Sequence, residues 1–229
     1  MKKQTLLIPK ETVFPLICVL IGNLIVYYGI QPILSHLTPT TPETAFDRMI
    51  PLIPSFIIIY FLAFLQWFIC YFLLAKEDKS LCYRFCAANI IAQFISMLFF
   101  ILWPQEMIRP EVPGNDFCSA IIKLLYSLDP RGNNLFPSLH CIESWLCFRA
   151  SLKIKKVGKW YPWFTFFFTV LVFASTVLVK QHYVLDIPGG VLVMELAFFL
   201  TKIFKPERVF EAAERRLFRK KEQEVPGKI

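Results

Sequence analysis

His182 and Asp186 stand four residues apart where a long apolar run stops, in Ser175-Thr-Val-Leu-Val-Lys-Gln-His-Tyr-Val-Leu-Asp186. Ionisable side chains are costly to place in hydrocarbon-like sequence, and where they occur they usually mark functional sites. On a helix these two lie about 40° apart around the axis and touch. The carboxylate then accepts a hydrogen bond from one ring nitrogen and leaves the other free. That is how a histidine is held ready to act as nucleophile or base. On this stretch alone a plainer reading stands beside it, in which Lys180 and His182 cap a membrane helix at its interface.

Two further sets of residues carry comparable chemistry. Arg109-Pro110 follows an apolar segment, and Phe136-Pro-Ser-Leu-His140 opens another. Ser138 suits the N-cap of a helix beginning there, and it can cap and bind an anion at once. Glu143, one turn beyond His140, either orients that histidine or pairs with a basic neighbour.

The elements that must position these residues are membrane spans. Of the 229 residues, 56% are hydrophobic and 16% aromatic, and several apolar runs reach the roughly 18 residues that cross a bilayer. The expected fold is all-α, a polytopic bundle of six transmembrane helices within one integral membrane domain, residues 1–229. The spans run from about Val13 to Ile30, Pro51 to Leu74, Phe85 to Trp103, a short fourth from Ser138 that carries Glu143 and Arg149, Trp160 to Val179, and His182 to about Ile203. Residues 31–49, rich in Pro and Thr, read as a loop. Phe117 to Leu128 reads as a short amphipathic helix at the interface. A charged, largely helical tail occupies 204–229. Glu195, deep in the sixth span, is expected to face the bundle interior, and Gly189-Gly190 to mark close helix packing.

The net charge of +8 lies mostly between and after the apolar runs. Lys2, Lys3 and Lys10, then Lys76, Lys79 and Arg84, then Lys153, Lys155, Lys156 and Lys159, then the tail, form the basic segments. The positive-inside rule places them, and both termini, in the cytoplasm. No basic face with interleaved aromatics lies outside the spans, so nucleic acid is not an expected partner. The seven scattered cysteines make no disulfide framework, and Cys82 and Cys86 lack the second ligand pair a metal site needs. Arg109, His140, Lys180 and His182 then all converge on the non-cytoplasmic interface, facing outside or into a lumen. Two helix N-termini there add partial positive charge, so the site is suited to an anion.

Taken together, Arg109-Pro110, then Pro137, Ser138 and His140, then Ser175, His182 and Asp186 resemble the three-part signature of the type-2 phosphatidic acid phosphatase superfamily. The likeness covers roughly residues 100–195. It departs at Leu102, where the pattern has Lys, and at Thr176, where it has Arg. Losing two cations makes the chain more similar to the inositolphosphorylceramide and sphingomyelin synthase branch, whose members move a phospho-headgroup between lipids. Lys180 and Arg131 are the residues that could replace the missing charge.

The resemblance implies an integral membrane phosphatase or phospho-headgroup transferase acting on a lipid phosphate or phospholipid. His182 would attack phosphorus and form a phosphohistidine, and Asp186 would fix its tautomer. His140 would protonate the leaving oxygen and later deprotonate water or an alcohol, while Arg109, Lys180 and Ser138 hold the non-bridging oxygens. Such chemistry needs no metal or other cofactor, and the sequence offers no carboxylate cluster to hold one. The alternative is a non-enzymatic membrane protein, either a transporter or a decayed member of the fold. Against transport stands the gathering of ionisable residues at one interface, because transport sites usually lie near the midplane.

Overall fold

A computed structural model describes residues 8–129 and 131–223. Lys2, Lys3 and the last six residues of the charged tail lie outside the described residues. The first apolar run gives α1 (Lys10–Leu24), continued by a π-helical turn (Ile25–Gly29) and α2 (Gln31–Leu34) into one span. The loop that follows contains α3 (Ala45–Met49). Then come α4 (Ile57–Glu77), α5 (Lys79–Leu102), the short amphipathic α6 (Phe117–Leu128), α7 (Leu139–Ser151), α8 (Tyr161–Leu178), α9 (Asp186–Phe204) and α10 (Arg208–Gln223). Every named element among the described residues is helical.

Five of the helical spans are long and apolar enough to cross a bilayer: Lys10–Leu34, Pro54–Glu77, Lys79–Leu102, Tyr161–Leu178 and Asp186–Phe204. The chain is an integral membrane protein. The sixth helix of the bundle, α7, has only 13 residues, about 20 Å against the roughly 30 Å of a hydrocarbon core. It is the central helix, touching α4, α5, α8 and α9. The segment leading into it, including Asn134, Leu135 and Ser138, is buried in protein, where non-helical backbone is tolerated at depth.

Polar side chains inside the bundle are matched across helices. Glu143 neither orients His140 nor meets a base. It accepts hydrogen bonds from Asn23 of α1 (3.1 Å), Asn89 of α5 (2.7 Å) and Tyr71 of α4 (3.2 Å), tying four helices at one carboxylate. Glu195, expected in the interior, is instead half-buried. It pairs with Arg149 and accepts from the Trp145 indole at 2.7 Å, so the half-buried charges of α7 and α9 offset each other.

The last span begins later than the hydropathy suggests, at Asp186 rather than His182. The Thr176 carbonyl at the end of α8 accepts from both Gln181 N (2.9 Å) and His182 N (3.1 Å). The backbone is therefore folded into a turn before α9 can start. Gly189 and Gly190 let α9 press onto the start of α7. A Cβ at Gly190 would stand 2.8 Å from the Cys141 Cβ and 2.9 Å from the Ser138 carbonyl oxygen. Gly190→Ala should therefore lower stability by about 1–3 kcal/mol, the usual cost of overpacking. Gly29→Ala, where the new methyl meets its nearest neighbour at an ordinary 3.5 Å, should stay within about 0.5 kcal/mol of wild type. Thermal unfolding of both variants in one detergent measures the difference.

Candidate active site

The site forms where the segments joining the helices meet at one end of the bundle. Ile53 N donates to Leu178 O (2.9 Å), and Ser138 N to Asp186 O (3.3 Å). At the centre is His182, 8% exposed. Its Nδ1 lies 3.1 Å from Asp186 Oδ2 and 3.1 Å from the Leu135 carbonyl oxygen. Both partners only accept, so Nδ1 must carry the proton, and in the neutral ring Nε2 keeps the lone pair. Asp186 is itself fixed at the first turn of α9, its Oδ2 also accepting from Tyr183 N at 2.9 Å. The His182–Asp186 pair thus touches across the turn before α9, and not along one helix face.

Beside His182 opens a cavity of about 520 Å³ lined also by Arg109, Lys180, Arg48, Ile50 and Ile108, within the size range of small-molecule sites. The Arg109 side chain is largely covered and already engaged. It pairs with the Asp129 carboxylate at 2.9 Å and donates to the Asp129 carbonyl and to Gln181 Oε1 (3.1 Å). Its guanidinium stacks on Tyr126, 4.6 Å from the ring centroid. Burial pushes the Tyr126 phenol up to about 12, so at neutral pH its hydroxyl stays protonated and donates to Val179 O at 2.9 Å. Of the five guanidinium N–H groups, Nε–H is buried without a partner.

Lys180 adopts a left-handed backbone (φ 51°), unusual for a residue with a side chain. Its Nζ donates to Asp47 O at 3.0 Å, while Asp47 Oδ1 accepts from Val184 N at 2.8 Å. Asp47 is locked in turn by a capping box with Thr44. The segment read as loop thus contains the helix that holds Lys180 and the His182 turn in place. Burial alone would raise the Asp47 pKa, but the hydrogen bonds from Thr44 and Val184 and the nearby Lys180 charge outweigh it and hold the carboxyl below its ordinary range.

His140 sits in the first turn of α7. Its ring is 6.3 Å from that of His182. It stacks on Tyr60 (4.1 Å, 22°) with Phe64 and Trp67 edge-on at 5.4 and 5.1 Å, a cage supplied by α4. His140 Nε2 is buried with no hydrogen-bond partner. Ser138 is fully buried as the N-cap of α7, its Oγ accepting from Cys141 N at 3.3 Å. Ser175 merely bonds back to Val172 O.

Residues 43–200 match the PAP2 superfamily. The chain belongs to that family. No curated protein and no solved structure matches it. PAP2 superfamily membership supports a phosphatase-type function on lipid phosphates. The matched stretch runs from the loop before α3 through most of α9 and contains all six residues singled out from the sequence.

The two departures from the superfamily pattern are visible in place. Leu102 ends α5 and is 79% exposed, and Thr176 is buried with its hydroxyl on Phe173 O. Neither lines the cavity. Arg131 does not replace them, since it lines a separate cavity with Gln105 and Asn133. Sequence reading missed Asp47, Gln181, Asp129 and the aromatic cage. Thr44-x-x-Asp47 was a legible capping-box signal. The Tyr60, Phe64, Trp67 stripe has helical spacing but is hidden among many aromatics.

Removing Asp47 leaves Val184 N without its partner, so Asp47→Ala should cost about 1–3 kcal/mol at neutral pH. A carboxyl with a depressed pKa in the folded state stabilises above its unfolded value and loses that contribution as pH falls through its folded value. The gap between wild type and Asp47→Ala should narrow as pH drops below the ordinary carboxylate range. Unfolding curves at neutral and acidic pH read it.

Proposed function

We propose that this PAP2 superfamily member is a lipid-phosphate phosphatase or phospho-headgroup transferase that works through a phosphohistidine on His182. The observation that carries the reading is the His182 ring. Two acceptors hold Nδ1–H, which leaves Nε2 as the nucleophilic atom beside a cavity lined with cations.

In the first step Nε2 attacks phosphorus as the bond to the leaving oxygen breaks. His140 supplies the proton that oxygen needs. In the second step water or a lipid alcohol attacks the phosphorus, the P–N bond breaks, and His140 takes the proton back. Asp186 stabilises the positive charge that forms on the His182 ring. Arg109 and Lys180 stabilise the charge on the non-bridging oxygens, and Ser138 with the first backbone N–H groups of α7 adds donors. A ring separation of 6.3 Å supports a reading in which both imidazoles act on one phosphoryl group. The unpartnered His140 Nε2 fits a group whose partner arrives with substrate.

Residues 1–229 are read as one catalytic membrane unit. The basic segments between α4 and α5, between α7 and α8, and after α9 lie at the opposite end from the site. The positive-inside rule therefore puts both termini in the cytoplasm and the site on the outer or lumenal face.

Purified protein incubated with a panel of phosphatidate, polyprenyl phosphates and phospholipids, with and without lipid alcohols, should release phosphate or form new phospholipids, read by mass spectrometry. His182→Ala should abolish this turnover. Asp186→Asn, which disturbs the tautomer and the imidazolium, should cost about 10²- to 10⁴-fold. Turnover unchanged in His182→Ala would overturn the reading.

A further inference from the structure

Resting on that reading, we propose that Arg48 of α3 is a phosphate-binding and specificity-determining residue, supplying charge that Leu102 and Thr176 do not, and that it exchanges Glu43 for the substrate phosphate when the substrate enters. Arg48 and Glu43 line the same cavity as Arg109, Lys180 and His182. The main chain at this point is not free to drift. The neighbouring Asp47 receives Lys180 Nζ on its carbonyl and Val184 N on its carboxylate, which fixes residue 48 against the turn that carries His182.

The other cations of the cavity are held in place by the protein while keeping N–H groups for the substrate. Arg109 is tied to Asp129 and Gln181, and Lys180 to Asp47. Arg48 is the readily released one. Among the described residues its one ion pair is with Glu43 at 3.3 Å, with side chains 60% and 40% exposed, and an exposed pair of this kind is weak. A phosphate accepts two parallel N–H bonds from a guanidinium as well as a carboxylate does. With Arg109 and Lys180 lining the same cavity, the phosphate is the better partner, and the exchange proceeds by rotation of the exposed Arg48 side chain. Glu43 therefore acts as an internal competitor that sets how much negative charge a ligand needs before it is held.

The test uses orthovanadate and inorganic phosphate as probes of the full-length protein in detergent. Binding is read as ligand-induced rise in melting temperature, so the outcome does not depend on turnover. Arg48→Gln should bind about tenfold more weakly, the size of one lost charge-assisted hydrogen bond. Glu43→Gln should bind about threefold more tightly, and the double variant should match Arg48→Gln alone. Both residues are exposed, and melting of the unliganded variants checks that the fold is kept. Arg48→Gln binding as wild type does, or Glu43→Gln leaving affinity unchanged, overturns the proposal. Lipid turnover by the wild type, measured in parallel, decides the catalytic reading separately. If wild type turns over lipid phosphates while these variants bind and react as it does, only the role of Arg48 falls.

Discussion

The site depends on one hydrogen-bonded junction, His182 Nδ1 facing the Asp186 carboxylate and the Leu135 carbonyl at 3.1 Å each. Two acceptors at one nitrogen settle where the ring proton sits. They also join three stretches of chain, namely the segment before α7, the turn after α8 and the first turn of α9. A histidine held only by a carboxylate could swing about that bond. Here the carbonyl of the segment before α7 fixes the ring plane as well, so the ring keeps a set orientation in the wall of the cavity.

The bundle behind the junction is built to hold those three stretches still. Glycines at 189 and 190 let α9 meet the start of α7 at a distance no side chain allows. Ser138 caps α7 from inside the protein. Glu143 binds α1, α4 and α5 to α7 within the bundle. Buried polar groups in a membrane protein are costly unless matched, and this one carries three donors. The short α7 can sit inside the bundle because longer helices shield it from lipid.

Much of this was legible in the residues. Hydropathy placed six helices, and the short amphipathic helix Phe117–Leu128 appears with those ends. The residues singled out as Arg109, Ser138, His140, Lys180, His182 and Asp186 do gather at one end. What was not legible has physical causes. Hydropathy cannot see that Thr176 O captures two amides and delays α9 to Asp186, because backbone bonds leave no trace in composition. The Pro- and Thr-rich stretch 31–49 looked like plain loop, although one short capped helix in it holds Lys180 and the His182 turn. Burial of Glu195 was overstated because a partner on a neighbouring helix, Arg149, makes an edge position tolerable. Arg131 looked like a spare cation from charge alone, and its cavity is a different one.

The central claim is that His182 Nε2 is the atom that takes the phosphoryl group. The most direct measurement is rapid quenching of the protein with a lipid substrate labelled in its phosphate, followed by proteolysis in base and separation of the two phosphohistidine isomers. The account predicts label on the peptide containing His182, in the isomer phosphorylated at Nε2. Label at Nδ1, on His140, or on no histidine while turnover proceeds would contradict it.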